Sequence, residues 1–166
     1  MAASLVDVVG YICQRYPRSR KGDLSKARLT KLVYLADWRS VLQNDKQISD
    51  ITWEVYHYGP WVPDVIKAVE DNPEKFRIRK TYTWLGNPKE VVELTDDSFT
   101  PNLLPEEKAA INHVIDVTKD LNWDSFIRLV YSTYPVVTQP KYTPLNLREL
   151  AAKYKAEFPQ VKSNLK

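Results

Sequence analysis

Between Leu29 and Leu42 the chain carries Leu29, Leu32, Val33, Tyr34, Leu35, Ala36, Trp38, Val41 and Leu42. At about 100° per residue these side chains spread around nearly the whole circumference of a helix, the pattern of a helix buried on most sides. The spacing predicts a central helix over 25–42 with the other elements packed around it. Asp37 and Thr30 form its one narrow polar stripe. A buried carboxylate in that position reads either as a functional group or as an anchor for a neighbouring backbone or arginine, and the anchor is the favoured reading.

A chain of 166 residues is long enough for one domain with a full core. Its net charge of +3 is too mild to indicate nucleic-acid binding. Cys13 is the single cysteine and has no partner for an internal disulfide. No apolar run approaches the roughly 20 residues of a membrane span. The opening MAASLVDVVG lacks the basic start and uninterrupted apolar stretch of a signal peptide, so a reduced, cytoplasmic protein is expected.

Leu5, Val8, Val9, Ile12 and Tyr16 recur at three- and four-residue spacing, predicting a first helix over 4–16 capped by Ser4 and ended by Pro17. Arg18, Arg20, Lys21, Lys26, Arg28 and Lys31 then gather around Asp23. This strongest positive cluster reads either as a docking surface for an acidic partner or phosphates, or as a solvated loop and helix start.

After the polar linker 43–50 comes ITWEVYHYGPWVPDVIKAV, in which two tryptophans, two tyrosines and a histidine crowd around Tyr58-Gly59-Pro60. Pro60 forces a break there, and Pro63 with Asp64 opens a helix that Asp71-Asn72-Pro73 stops. The expected shape is an extended segment, a sharp aromatic turn and a helix. Phe76, Ile78, Tyr82 and Trp84 then alternate with Arg77, Arg79, Thr81 and Thr83, predicting a strand that turns at Gly86-Asn87-Pro88 and returns through Val91 to Leu94. One face of this hairpin should lie on the helices and the other should present Arg77 and Arg79.

Pro105, Glu106 and Glu107 mark a new helix start, with Ile111, Val114, Ile115, Thr118 and Leu121 inward and His113 outward. Asn122 caps a short helix carrying Trp123, Phe126, Ile127, Val130 and Tyr134, which Pro135 is expected to end. An irregular segment, VVTQPKYTPLN, precedes a last helix capped by Asn146 and Glu149 and packed through Leu147, Leu150, Ala151 and Tyr154. The fold class is mainly α (α+β): one compact helical domain over 1–158 with a central buried helix and one small antiparallel β-hairpin, followed by a polar tail over 159–166.

Catalytic chemistry finds little support. His57 and His113 sit in different elements, zinc-ligand spacings are absent, and Gly10, Gly22, Gly59 and Gly86 are too scattered for a phosphate cradle. Cys13 on an apolar helix face reads as core and not as a nucleophile. No enzyme activity, cofactor or metal is expected. Five tryptophans and ten tyrosines instead favour a binding protein, since both residue types bury large area while keeping a hydrogen-bonding end.

The segment LTKLVYLADW over 29–38, the turn Tyr56-His57-Tyr58-Gly59-Pro60-Trp61-Val62-Pro63, the strand end Val92-Glu93-Leu94-Thr95-Asp96, and Tyr134-Pro135 with Leu145-Asn146-Leu147 together resemble the Panacea domain, the SocA-like antitoxin family. One departure lies in 43–47, where the resemblance leads one to expect a glycine. The resemblance implies an antitoxin of a bacterial or phage toxin–antitoxin system that binds and neutralises a co-encoded protein toxin, such as a translation inhibitor that pyrophosphorylates tRNA. It also allows an adaptor that delivers the toxin to a protease. The partner-binding residues on which the two lines of reading coincide are Trp53, Tyr56, His57, Tyr58 and Trp61 around the turn, and Arg77, Arg79, Tyr82 and Trp84 on the hairpin. Acidic Glu54, Asp64 or Asp71 would suit a basic toxin active site. The competing reading is a winged-helix-like nucleic-acid-binding regulator, in which Arg18 to Lys31 join Arg77 and Arg79 on phosphates.

Overall fold

A computed structural model of the protein describes residues 2–96 and 98–160. Its axis is a helix, α2 (Lys26–Asn44), in which every residue from Arg28 to Trp38 is buried. Such a run requires neighbours on all sides. They are α1 (Leu5–Arg15), α3 (Asp64–Glu70), α4 (Pro105–Thr118), α7 (Leu147–Glu157) and two antiparallel strand pairs, β1 (Glu54–Tyr56) with β2 (Gly59–Trp61) and β3 (Phe76–Tyr82) with β4 (Pro88–Leu94). One hydrophobic cluster runs through all of them from Val8 to Ala151.

The ends of α2 are fixed by local chemistry. The Ser25 hydroxyl accepts the Arg28 N–H at 3.1 Å, satisfying one of the orphan donors of the first turn. At the other end Asp45 takes a left-handed conformation, with φ of 61°, and its N–H returns to the Val41 carbonyl. Asp45 therefore fills the place where a glycine was expected, a conformation that Asp tolerates better than most residues. Lys155 of α7 donates to the Leu42 carbonyl at 3.1 Å and to Asp45 at 3.0 Å, placing a cation at the negative end of the helix.

Ser4 caps α1 by accepting from the Val6 N–H. Between α1 and α2, Arg18–Asp23 forms a 3-10 turn, and the Leu24 carbonyl accepts the Val92 N–H at 2.9 Å, tying the β3–β4 hairpin to the start of the central helix. Phe76 and Val92 face the core from that hairpin, while Val91, buried on the opposite face, bridges to Ser25. Its register pairs Phe76 with Leu94 and Tyr82 with Pro88, so the turn falls where Gly86-Asn87-Pro88 placed it.

Two local expectations change. The aromatic segment closes into a second strand pair, because Gly59 at φ of 91° folds the chain back with only His57 and Tyr58 between the paired Tyr56 and Gly59. The helix expected to run to Tyr134 ends as α5 (Trp123–Tyr131), and Pro135 opens a separate helix, α6 (Tyr134–Thr138), with Thr133 as its cap. A proline in the first helical turn forfeits no intrahelical bond, so it starts α6 and does not end α5. The segment read as irregular from Val136 is thereby helical to Thr138. The expected polar tail, from 161 onward, lies outside the described residues.

Candidate functional site

Of the nine residues proposed to meet a partner, Trp53 is a core residue. It is fully buried, packs edge to face on Tyr34 with centroids 5.5 Å apart, and donates its indole N–H to Asp37 at 2.8 Å. No partner can reach it. Its period-two spacing from Val55, also buried, is the sequence signal that it faces inward.

The remaining turn residues form one surface. Tyr58 is 75 % exposed and Trp61 43 % exposed, and His57 is exposed at the tip. Tyr56 stands between Trp61 and Tyr142, edge to face with each at 5.7 Å, and the Glu54 carboxylate holds its hydroxyl pKa up. Tyr142 reaches this place because its own N–H donates to the Val55 carbonyl at 2.7 Å, while the Leu145 N–H donates to Trp53 at 2.8 Å, laying that segment along β1. Tyr131, at the end of α5, lies directly over Gly59. Burial, with a contribution from Tyr58, raises the Tyr131 pKa. Tyr131 and Tyr142 lie far along the chain from the turn, and nothing in their local spacing marks them as its neighbours.

Lys31, Tyr56, His57, Tyr58, Trp61 and Tyr142 line a cavity of about 290 Å³. Lys31 forms its inner wall. This side chain is 4 % exposed, its ζ-nitrogen donates to the Pro60 carbonyl at 3.3 Å, and burial alone lowers its pKa.

The β3–β4 hairpin makes a second exposed surface beside the first. Tyr82 is 70 % exposed and Trp84 95 %, with Leu85 next to it at the tip. Arg77 and Arg79 project to solvent as expected, but both turn onto Glu93 of the paired strand, at 2.8 and 3.4 Å. Ala27 lines the cleft under this hairpin and Lys31 lines the turn cavity. The two residues are i and i+4 on α2, one helical turn apart.

The positive cluster is dispersed. Arg28 is buried, with its guanidinium 4.5 Å from the Phe126 ring and a bond to the Leu121 carbonyl at 3.1 Å. Lys26 pairs with Glu90 at 3.4 Å and Arg20 with Asp120 at 3.2 Å. Cys13 is buried, and desolvation pushes its thiol up to about 12, the opposite of nucleophile activation. His113 is on the surface of α4 with its pKa lowered, chiefly by desolvation and then by Arg39. Among the described residues no group of three or more His, Cys, Asp or Glu side chains could hold a metal ion, and no helix is long and apolar enough to cross a membrane.

Residues 29–135 match the model of a family described as antitoxin SocA-like, Panacea domain. The match begins in the buried part of α2 and ends at the start of α6, taking in Lys31, the aromatic turn, the hairpin and Tyr131. No curated protein and no solved structure matches the chain.

Proposed function

Because the chain belongs to the SocA-like, Panacea-domain antitoxin family, we propose that it neutralises a protein toxin by binding it directly through the aromatic turn and the neighbouring hairpin. The observation that carries this reading is a set of large rings held out from a rigid base. Tyr58, Trp61, Tyr82 and Trp84 are exposed, yet β1 and β2 beneath the first two are pinned to α2 through Trp53 and Lys31. Aromatic side chains on a preformed surface are the usual anchors of a tight interface, since little entropy is lost when they are covered. Burial of about 800 Å² per partner is ordinary for such a complex.

The toxin class that fits is an enzyme with a basic, nucleotide- or tRNA-binding active site that blocks translation. Asp64, which follows the turn, and Asp71, at the far end of α3, are both exposed and would supply the complementary charge. A nucleic-acid-binding role for this chain has less support, because the cations it would need are engaged within the fold. Arg77 and Arg79 meet Glu93, Lys26 meets Glu90, and Arg28 and Lys31 are buried.

Co-expression with the product of the adjacent reading frame tests the proposal. That product should arrest growth by itself, and this chain should restore growth and co-purify with it. Tyr58→Ala or Trp61→Ala should abolish the rescue while the circular-dichroism spectrum and melting remain normal. A neighbour that is harmless alone, or still lethal in the presence of this chain, overturns the reading.

A further inference from the structure

Lys31 is the feature of the turn surface that packing does not explain. An ammonium group carries three donors, and among the described residues the only acceptor it meets is the Pro60 carbonyl at 3.3 Å. Among the described residues no carboxylate pairs with it, and burial lowers its pKa. A charge taken out of water with one long hydrogen bond costs stability, whereas a methionine of similar length would fill the same space at no such cost. Lys31 lines a cavity whose other lining residues are Tyr56, His57, Tyr58, Trp61 and Tyr142, open to solvent at the exposed Tyr58. Resting on the antitoxin reading, we propose that this cavity receives an Asp or Glu side chain of the bound toxin, its carboxylate completing the donor set of Lys31 and its methylene groups packing between the rings.

Charge complementarity selects this occupant. An apolar plug would leave the buried ammonium with the Pro60 carbonyl alone, and a cationic one would be repelled by it. The cavity of about 290 Å³ is of the size of one side chain with the backbone that carries it, and is small for a nucleotide. Lys31 is then a recognition residue seated on the central helix, held in register with the turn by its bond to Pro60.

The test has two arms. In the first, the free protein is titrated with 3-phenylpropionate, its neutral amide and inorganic phosphate while the Trp61 and Tyr58 resonances are followed. The carboxylate should produce saturable shifts, the amide should need about ten-fold more or higher concentration, and Lys31→Met should erase the difference, as expected for loss of a charge-assisted hydrogen bond. Equal binding of acid and amide, saturation by phosphate alone, or no saturable shift with the carboxylate overturns the assignment. Tyr58→Ala, a change at an exposed position, should weaken the same titration and serves if Lys31→Met fails to fold. In the second arm, the product of the adjacent reading frame is bound to wild type and to Lys31→Met. A loss of about ten-fold or more in affinity supports the inference. Equal capture by both proteins overturns it and leaves the antitoxin reading standing. A wild type that captures nothing but still binds the carboxylate overturns the antitoxin reading and leaves the cavity's chemistry in place.

Discussion

The indole N–H of Trp53 donates to the Asp37 carboxylate at 2.8 Å, joining the middle of the central helix to the segment that leads into the aromatic turn. The same carboxylate accepts the Ile48 and Ser49 N–H groups at 3.1 and 3.0 Å, the Ser49 hydroxyl, and the Gln47 amide at 3.3 Å. One side chain thus fixes the path from the end of α2 to the start of β1, and with it the position from which Tyr58 and Trp61 project.

Removing that carboxylate strands several buried donors at once. Asp37→Ala is expected to lower the unfolding free energy by roughly 3–5 kcal/mol, measured by urea denaturation. Asp37→Asn keeps one acceptor oxygen but turns an amide donor toward groups that are themselves donors, so it should recover only part of the loss. An Asp37→Ala midpoint within experimental error of wild type would show that the segment is held by its apolar contacts alone.

Asp37 also sets a pH dependence. Burial pushes its carboxyl up from an ordinary value of 3.8 to about 6, against the opposing pull of its hydrogen-bond donors, the Ser49 hydroxyl first among them. The folded protein then binds a proton where the unfolded chain does not. The stability contributed by this group is greatest below pH 3.8 and declines as the pH rises from there to about 6. The Trp53 indole N–H resonance should move with a midpoint near that upper value, and the movement should vanish in Asp37→Asn. A resonance that stays still across this range would mean that the donors hold the carboxylate ionised throughout.

The all-round apolar character of 29–42 and the anchoring role of Asp37 were legible because each is a short-range matter of periodicity or of a charge that cannot be buried alone. The Phe76 to Trp84 alternation likewise marked a strand, though not that Tyr82 and Trp84 run past the core and stand exposed. Distance along the chain hid the rest. Nothing near Tyr142 says that its backbone will run beside β1, and nothing near Tyr131 says that it will cover Gly59. Lys31 was counted with a surface cluster because lysine is seldom buried, and only the fold shows its head group behind the turn. Trp53 was assigned to the interface on residue type, although its parity with Val55 pointed inward.

Gly59 shows how tightly the turn is built. A Cβ there would stand 2.5 Å from the Tyr131 ring, and φ of 91° is strained for any other residue. Gly59→Ala should therefore cost about 1–3 kcal/mol in thermal or urea unfolding. Adding Tyr131→Ala removes the clash but not the backbone strain, so the double variant should regain only part of the deficit relative to Tyr131→Ala alone. Full recovery would assign the whole effect to the clash.

The hairpin tip separates binding from folding most cleanly. Trp84 is 95 % exposed, and its removal exposes no core, so Trp84→Ala should change stability by no more than about 0.5 kcal/mol. If the tip is covered by the toxin, the same change should weaken the complex by about 2 kcal/mol or more, as for other aromatic anchors. Arg77→Ala is the internal comparison. Its guanidinium shares Glu93 with Arg79 at the surface, a screened pair whose loss should be worth less than about 1 kcal/mol in stability. Isothermal titration of both variants against the toxin, beside their melting curves, distinguishes the possibilities. A Trp84→Ala protein that binds as wild type confines the interface to the aromatic turn, and one that melts early shows that the tryptophan packs on the hairpin itself.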